Sequence, residues 1–113
     1  MPIYTVPKNI QRTAQRAIEY NNSLPISQRA SYEGTGKDRK PGTGMRTARR
    51  LSRGKIDLPQ AKLMSAWFAR HGESEKEAKA RQDRTSKAAI AWALWGGNAG
   101  RRWVNSIIRR EDG

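Results

Sequence analysis

The stretch IAWALWGGNAGRRWVNSIIRR, residues 90 to 110, constrains the fold more than any other part of this chain. Its first six residues carry no charge and are too few to span a membrane, which favours a buried helix. Gly96 and Gly97 follow directly and supply the left-handed conformation in which helices end. After Asn98, which we expect to cap the next helix, apolar residues recur at helical spacing while arginines fall on the opposite face. The pattern predicts two helices joined at a tight glycine corner.

Gly100 lies inside the apolar stripe of the second of these helices, where glycine costs about 1 kcal/mol relative to alanine. Close approach of a neighbouring segment would offset that cost, and the segment with Trp92 and Trp95 is the candidate. The same corner has two interpretations. Free backbone N–H groups at a helix start, beside Arg101 and Arg102, favour a phosphate site. A helix corner whose arginines are simply solvated is the more common arrangement, and the sequence contains no longer nucleotide-binding motif here.

Helical periodicity recurs three times before this stretch. It predicts helices from Lys8 to about Asn22, from Thr43 or Met45 to Ser52, and from a cap near Asp57 to His71, with Gly72 as the stop. A further helix begins after Thr85 or Ser86. We therefore predict an all-α fold, a small single-domain bundle of four to five short helices over residues 1–113.

Aromatic residues form the predicted core. The third helix carries Leu63, Met64, Trp67 and Phe68 on one stripe, all expected to face inward, and Trp92, Trp95 and Trp103 join them. Tryptophans also stack on unpaired bases, but at helical spacing among alanines a core role is the more common one.

Three segments lack helical periodicity. Residues 1–6 read as an extended N-terminal arm whose Ile3, Tyr4 and Val6 dock on the body, and residues 26–44 as a long, basic, glycine-rich loop. That loop either orders on a polyanion or is a solvated connector. Residues 72–84 are charged, with good helix formers and no apolar face, and form either a solvated helix extension or a mobile connector.

The charge balance of the chain is strongly basic. Its 113 residues hold 23 Lys and Arg against 10 Asp and Glu, a formal net charge of +13, and no cysteine. Such a charge repels itself unless a polyanion neutralises it, and nucleic acid is the usual partner. The lack of cysteine excludes disulfides and thiolate metal sites. No secretion signal or membrane span is recognisable, so we expect no membrane partner.

No pattern in the sequence indicates catalysis. His71 has no partner at metal-ligand spacing and is expected to be a solvated residue at a helix end, and the acids cluster on a hydrophilic segment rather than in a pair suited to acid–base chemistry. We therefore expect a protein that is not an enzyme, with no cofactor, no bound metal and no small-molecule substrate.

The cations indicate a nucleic-acid-binding surface. They are densest between Lys37 and Lys55, and a second set lies on the last helix. The second and third helices resemble a helix–turn–helix in outline. The third helix offers few side chains that could read bases, namely Gln60, Lys62 and Ser65, so we expect contact with backbone phosphates. The predicted binding residues are Lys37, Arg39, Lys40, Arg46, Arg49, Arg50, Arg53, Lys55, Arg101, Arg102 and Arg109.

From Val6 to Arg110 the chain resembles a small bacteriophage domain that occurs alone or attached to phage structural and head-maturation proteins. The resemblance rests on VPKNIQRTAQRAIEY, GTGMRTARRLSRGKIDLPQAKLMSAWFARH and SKAAIAWALWGGNAGRRW, with the ARH and AWxLWGGxAGxxW words in that order. After ARH such domains tend to be glycine-rich, whereas this chain has the helix-prone ESEKEAKARQDR. The resemblance implies phage origin and a helical domain, and no activity.

Together these observations predict a phage-encoded basic protein that binds nucleic acid, DNA first, through backbone phosphates without sequence specificity. Two alternatives stay open. One is a virion structural or assembly component that contacts packaged DNA, portal or capsid. The other is an inhibitor of a host nucleic-acid enzyme. The expected location is the host cytoplasm or the virion.

Overall fold

Helices dominate the computed structural model, which describes residues 2–34 and 42–112. Its elements in chain order are β1 (Ile3–Thr5), α1 (Lys8–Ser23), α2 (Thr43–Arg53), β2 (Lys55–Asp57), α3 (Leu58–Gly72), α4 (Glu75–Arg81), α5 (Lys87–Leu94) and α6 (Gly97–Asp112), with a 3₁₀ turn at Ile26–Gln28. The all-α prediction is confirmed. The described residues hold six helices rather than four or five, because the charged segment 72–84 contains α4. None of these helices combines the length and apolar character that a membrane crossing requires.

Side-chain caps fix the starts of three helices. The Asp57 carboxylate accepts a hydrogen bond from the Gln60 backbone N–H at 2.9 Å, and Ser86 Oγ accepts one from the Ala89 N–H at 3.1 Å. Ser74 does the same for α4. Each cap satisfies a backbone donor that the first helical turn leaves unpaired. The predicted starts near Asp57 and after Ser86 are therefore confirmed.

The glycine corner between α5 and α6 also forms as predicted. Gly96 and Gly97 have φ of +111° and +68°, values that other residues rarely adopt. A Cβ at Gly100 would lie 3.1 Å from the Trp95 carbonyl oxygen, so the missing side chain allows α6 to pass close under the end of α5. The prediction for Asn98 is wrong, because α6 already begins at Gly97 and the Asn98 side chain instead accepts a hydrogen bond from Trp92 Nε1 at 2.9 Å.

The N-terminal arm is the first strand of a small sheet that the sequence did not reveal. β1 pairs antiparallel with β2, with Tyr4 opposite Ile56. Val6 follows the strand and is 1% exposed, whereas Ile3 is 59% exposed, so the expectation that Ile3 docks on the body is wrong. Side chains alternate across a strand, and in this strand the alternation buries Tyr4 rather than Ile3.

The core lies between α1, α2, α3, α5 and α6. Met64 and Phe68 are fully buried as predicted, but Leu63 is 43% exposed, so its inward assignment is wrong. The reason is that α3 buries Gln60 and Ala61 on the same stripe, which leaves Leu63 at the edge. The rest of the buried apolar set is Val6, Ile10, Ala14, Ala17, Ile18, Met45, Ala48, Leu51, Ile56, Ile90, Trp92, Leu94, Trp95, Val104 and Ile107.

Trp103 departs from the predicted aromatic cluster. Rings of Trp67, Phe68, Trp92 and Trp95 contact one another, with centroid distances of 4.6 to 5.8 Å. Trp103 is only partly buried, and within the described part of the chain its ring contacts none of them. It packs on the core from α6, outside the cluster.

Candidate nucleic-acid interface

One face of α2, together with the start of β2, carries most of the predicted binding residues that the structure describes. α2 buries Met45, Thr47, Ala48 and Leu51, and this turns its arginines outward. Lys55, exposed at the start of β2, continues the array. We call this surface the α2 face, and it consists of Arg46, Arg49, Arg50, Arg53 and Lys55.

Arg46 and Arg53 are the arginines of the α2 face that form no ion pair or side-chain hydrogen bond among the described residues. Both are exposed, they lie two turns apart on the helix, and no acid in the described residues pairs with either. Because neither guanidinium is bonded to a side chain of residues 2–34 or 42–112, both are available to an external anion.

Arg49 is engaged within the protein. Its Nε donates to Glu33 Oε1 at 3.1 Å, and its Nη2 donates to the other carboxylate oxygen. The hydrogen bond from Arg49 lowers the pKa of Glu33, and the same bond raises the pKa of Arg49. Arg49 therefore contributes less free positive charge than the sequence suggested.

Arg50 has a second role inside the fold. Its Nη1 donates to Gln60 Oε1 at 2.5 Å, and Gln60 Nε2 donates in turn to Thr47 Oγ1 at 3.2 Å. Gln60 is 4% exposed, so this chain of bonds satisfies a buried amide. Helical spacing does not predict this burial, because glutamine at a helix start is usually solvated.

The cations predicted on α6 lie on a different helix from the α2 face. Arg102 and Arg109 are exposed there. Arg101 is half-buried, with its guanidinium 5.9 Å from the Trp92 ring centroid and packed beside Gly72 at the end of α3. α6 packs chiefly on α3, whereas α2 packs chiefly on α1. The predicted residues Lys37, Arg39 and Lys40 lie outside the described residues.

A groove that the sequence did not predict lies between α3, α5 and the segment before α2. It encloses about 650 Å³. Its floor is aromatic: the rings of Trp67 and Trp95 stack with centroids 4.6 Å apart and planes 9° apart, and Trp92 lies 5.8 Å from Trp67. We call it the aromatic groove, and its other lining residues include Tyr32, Gly44, Leu63, Arg70, His71, Arg81 and Lys87.

The rim of the aromatic groove is cationic. Arg70 and Lys87 are exposed. The guanidinium of Arg81 lies 4.0 Å above the Trp92 ring and donates to the His71 carbonyl oxygen at 3.2 Å, which holds it at the edge of the floor. Glu77 is the acidic residue among those that line the groove.

His71 lies at the end of α3, as the sequence predicts, but its side chain is 35% exposed and paired rather than freely solvated. Its ring lies 4.4 Å from the Trp67 centroid, and its Nδ1 lies 2.8 Å from Glu77 Oε1. Stacking and the paired carboxylate hold the imidazole at the groove wall. No cluster of three or more metal-ligating side chains occurs in the part of the chain that the structure describes.

Asn21 positions the opposite wall of the groove. This side chain is fully buried at the end of α1; its Nδ2 donates to the Ser31 carbonyl at 2.9 Å and its Oδ1 accepts from the Ala30 N–H at 2.8 Å. Ser31 Oγ then accepts the Met45 N–H at 3.0 Å. The predicted loop is thereby fixed to α1 and α2 at residues 30 and 31.

Comparisons of this chain with protein-family models, with curated proteins and with solved structures find no match. Function is therefore argued from geometry and charge alone. The α2 face offers cations on an open helix surface, and the aromatic groove offers stacked rings with cations at the rim. Both are suited to a polyanion, the first to its phosphates and the second to its phosphates and bases.

Proposed function

We propose that this protein binds nucleic acid, with DNA as the expected form, through backbone phosphates and without sequence specificity. The observation that carries the proposal is the α2 face, where Arg46 and Arg53 are exposed and, among the described residues, unpaired with acids. The net charge of +13 adds a field that attracts any polyanion. Binding to phosphates releases condensed counterions, which supplies the favourable free energy.

The surroundings of the side chains on α3 support contact with nucleic acid without recognition of its bases. In a helix–turn–helix this helix would supply the base-reading side chains. Gln60 is buried and hydrogen-bonded to Arg50, and Ser65 Oγ donates to Asn105 Oδ1 at 2.8 Å. Lys62 alone of the three candidates is exposed, and an ammonium is a point charge suited to phosphate. The first half of α3, where a helix–turn–helix places its base-reading residues, therefore presents no free bidentate group of the kind that discriminates bases.

Salt titration of duplex binding tests the proposal. The logarithm of the affinity should fall linearly with the logarithm of salt concentration, with a slope of about −0.9 per phosphate contacted. The double variant Arg46→Gln/Arg53→Gln should flatten the slope by about two units, and the loss should be the same for unrelated duplex sequences. Arg49 and Arg50 are poor choices, because their loss also frees Glu33 and Gln60.

The matched control removes the same charge elsewhere. Lys76 and Lys79 are exposed on α4, so Lys76→Gln/Lys79→Gln lowers the net charge equally without touching α2. If the control flattens the slope as much as the α2 variant does, binding follows net charge and not the α2 face. Absence of salt-dependent binding in the wild type would contradict the proposed function outright.

A further inference from the structure

An indole N–H lies at the floor of the aromatic groove. Trp95 is 2% exposed and lines the groove, and its Nε1 donates to no acceptor among the described residues. Since no buried side-chain donor of those residues is left unpaired, this N–H is reached by solvent, and a donor open to solvent in a groove is available to an acceptor on a ligand. An indole nitrogen only donates, which limits the partner to a carbonyl, a ring nitrogen or an anionic oxygen.

Gly44 faces this donor. A Cβ at this position would lie 3.3 Å from Trp95 Nε1, closer than side chains normally approach. Gly44 and Trp95 both line the groove. A side chain at position 44 would therefore crowd the donor.

The surroundings of this donor match a nucleotide. Trp67 and His71 form partly exposed rings beside the buried Trp95, which suits a planar aromatic ligand. Arg70 and Lys87 are exposed at the rim, where a phosphate attached to such a ligand would lie. A volume of about 650 Å³ is within the range of pockets for small molecules and therefore admits a nucleotide.

We infer that the aromatic groove binds an unpaired base of a single-stranded nucleic acid, with the base against Trp67 and His71, an acceptor on the nucleotide receiving the Trp95 N–H, and the backbone phosphate on Arg70 and Lys87. This inference rests on the proposed function, since it names which form of nucleic acid the protein prefers. A base inside a duplex is stacked and paired and cannot enter, so the groove selects single strands.

Three fluorescent probes test the inference at one salt concentration: an oligothymidine of about twelve nucleotides, a strand of the same length with abasic residues throughout, and a blunt duplex. The abasic strand keeps the phosphates and removes the bases. We expect the wild type to bind oligothymidine about tenfold more tightly than the abasic strand, which is the scale of one stacked base.

Variants at the groove should remove the preference for bases. His71→Ala and Trp67→Phe should each reduce it severalfold, and Trp67→Phe keeps an aromatic ring in the core so that folding is preserved. Arg70→Gln/Lys87→Gln should lower affinity for oligothymidine more than for duplex, and Lys76→Gln/Lys79→Gln should lower both equally. Melting curves check that every variant is folded.

The outcomes separate this inference from the proposed function. Equal affinity for the oligothymidine and the abasic strand, or a base preference that survives both ring variants, overturns the groove assignment while salt-dependent duplex binding stands. Binding to none of the three probes overturns both. A base preference lost in the groove variants and kept in Arg46→Gln/Arg53→Gln supports the inference.

Discussion

The α2 face and the aromatic groove are both cationic, but they are built in opposite ways. The α2 face is a set of side chains on the outside of one helix and at the start of β2, and Arg46 and Arg53 pair with no acid in the part of the chain that the structure describes. The groove is assembled from the core itself, because Trp95 and Phe68 are buried beneath it. Arg46 and Arg53 are therefore replaceable without harm to the fold, whereas the shape of the groove depends on packing.

This difference predicts where substitutions will destabilise the protein, and the largest effect is expected beneath the groove floor. Phe68 is fully buried, with its ring against Trp67 and Trp92. Phe68→Ala should lower the free energy of unfolding by about 3 to 5 kcal/mol, through lost transfer free energy and a cavity. Urea denaturation measures the change.

The control for Phe68 lies on the same helix. Leu63 is 43% exposed, so Leu63→Ala should cost less than about 1 kcal/mol. If Phe68→Ala leaves too little folded protein to measure, Phe68→Leu should show a smaller loss in the same direction. Equal costs at the two positions would mean that the groove floor is not part of the core.

The next largest effect is expected at the groove wall. Asn21→Ala removes three hydrogen bonds to residues 30 and 31 and leaves buried backbone groups unpaired. We expect a loss of about 2 to 3 kcal/mol in the free energy of unfolding. Asn9→Ala, on the exposed side of α1, is the control and should change stability by less than about 0.5 kcal/mol. A loss at Asn21 no larger than at Asn9 would show that this wall is not held by the amide.

Local signals in the sequence were sufficient for much of the fold. Caps act on their own helix, so Asp57 and Ser86 could be read from neighbouring residues, and the glycines at 96 and 97 marked the corner. β1 and β2 were missed, because three residues are too few to show alternation and their partners lie some fifty positions apart in the chain.

Of the two candidate sites, the α2 face could be predicted from the sequence and the aromatic groove could not. Helical spacing places Arg46, Arg50 and Arg53 on one outward face, and the structure agrees. Spacing says nothing of partners from other segments, so the pairing of Arg49 with Glu33 could not be anticipated. The groove was invisible for the same reason, since its residues come from separate parts of the chain and meet only after folding.

Arg50 differs from the other members of the α2 face, because among the described residues it is the one bonded to a buried side chain, that of Gln60. Arg50→Ala leaves the buried Gln60 Oε1 without its donor and should cost about 1 kcal/mol. Arg46→Ala, one turn earlier on the same face, should stay within about 0.5 kcal/mol of wild type. Thermal unfolding of the two variants side by side gives the difference. Identical melting temperatures would mean that the Arg50 side chain does not contribute to the stability of the fold.

The smallest effect is expected from the ion pair between Glu33 and Arg49. The hydrogen bond from Arg49 lowers the pKa of Glu33 in the folded state below its ordinary value of about 4.5. The pair therefore stabilises the fold fully above that value, and this contribution is lost as the pH falls through the lowered pKa. Since the Arg49 side chain is 43% exposed, solvent screening should limit the effect to less than about 1 kcal/mol.

Glu33→Gln isolates this contribution. The variant should lose stability relative to wild type at neutral pH, and the gap should close as the pH drops below about 4.5, because the wild-type carboxylate becomes protonated. Urea denaturation at a series of pH values measures the gap, with Glu19→Gln, an exposed carboxylate on α1, as the control. A gap that is constant with pH would mean that the pair contributes through packing rather than charge. In the variant itself Arg49 loses its anionic partner, so Glu33→Gln should leave the α2 face with one more charge available to phosphate than the wild type has.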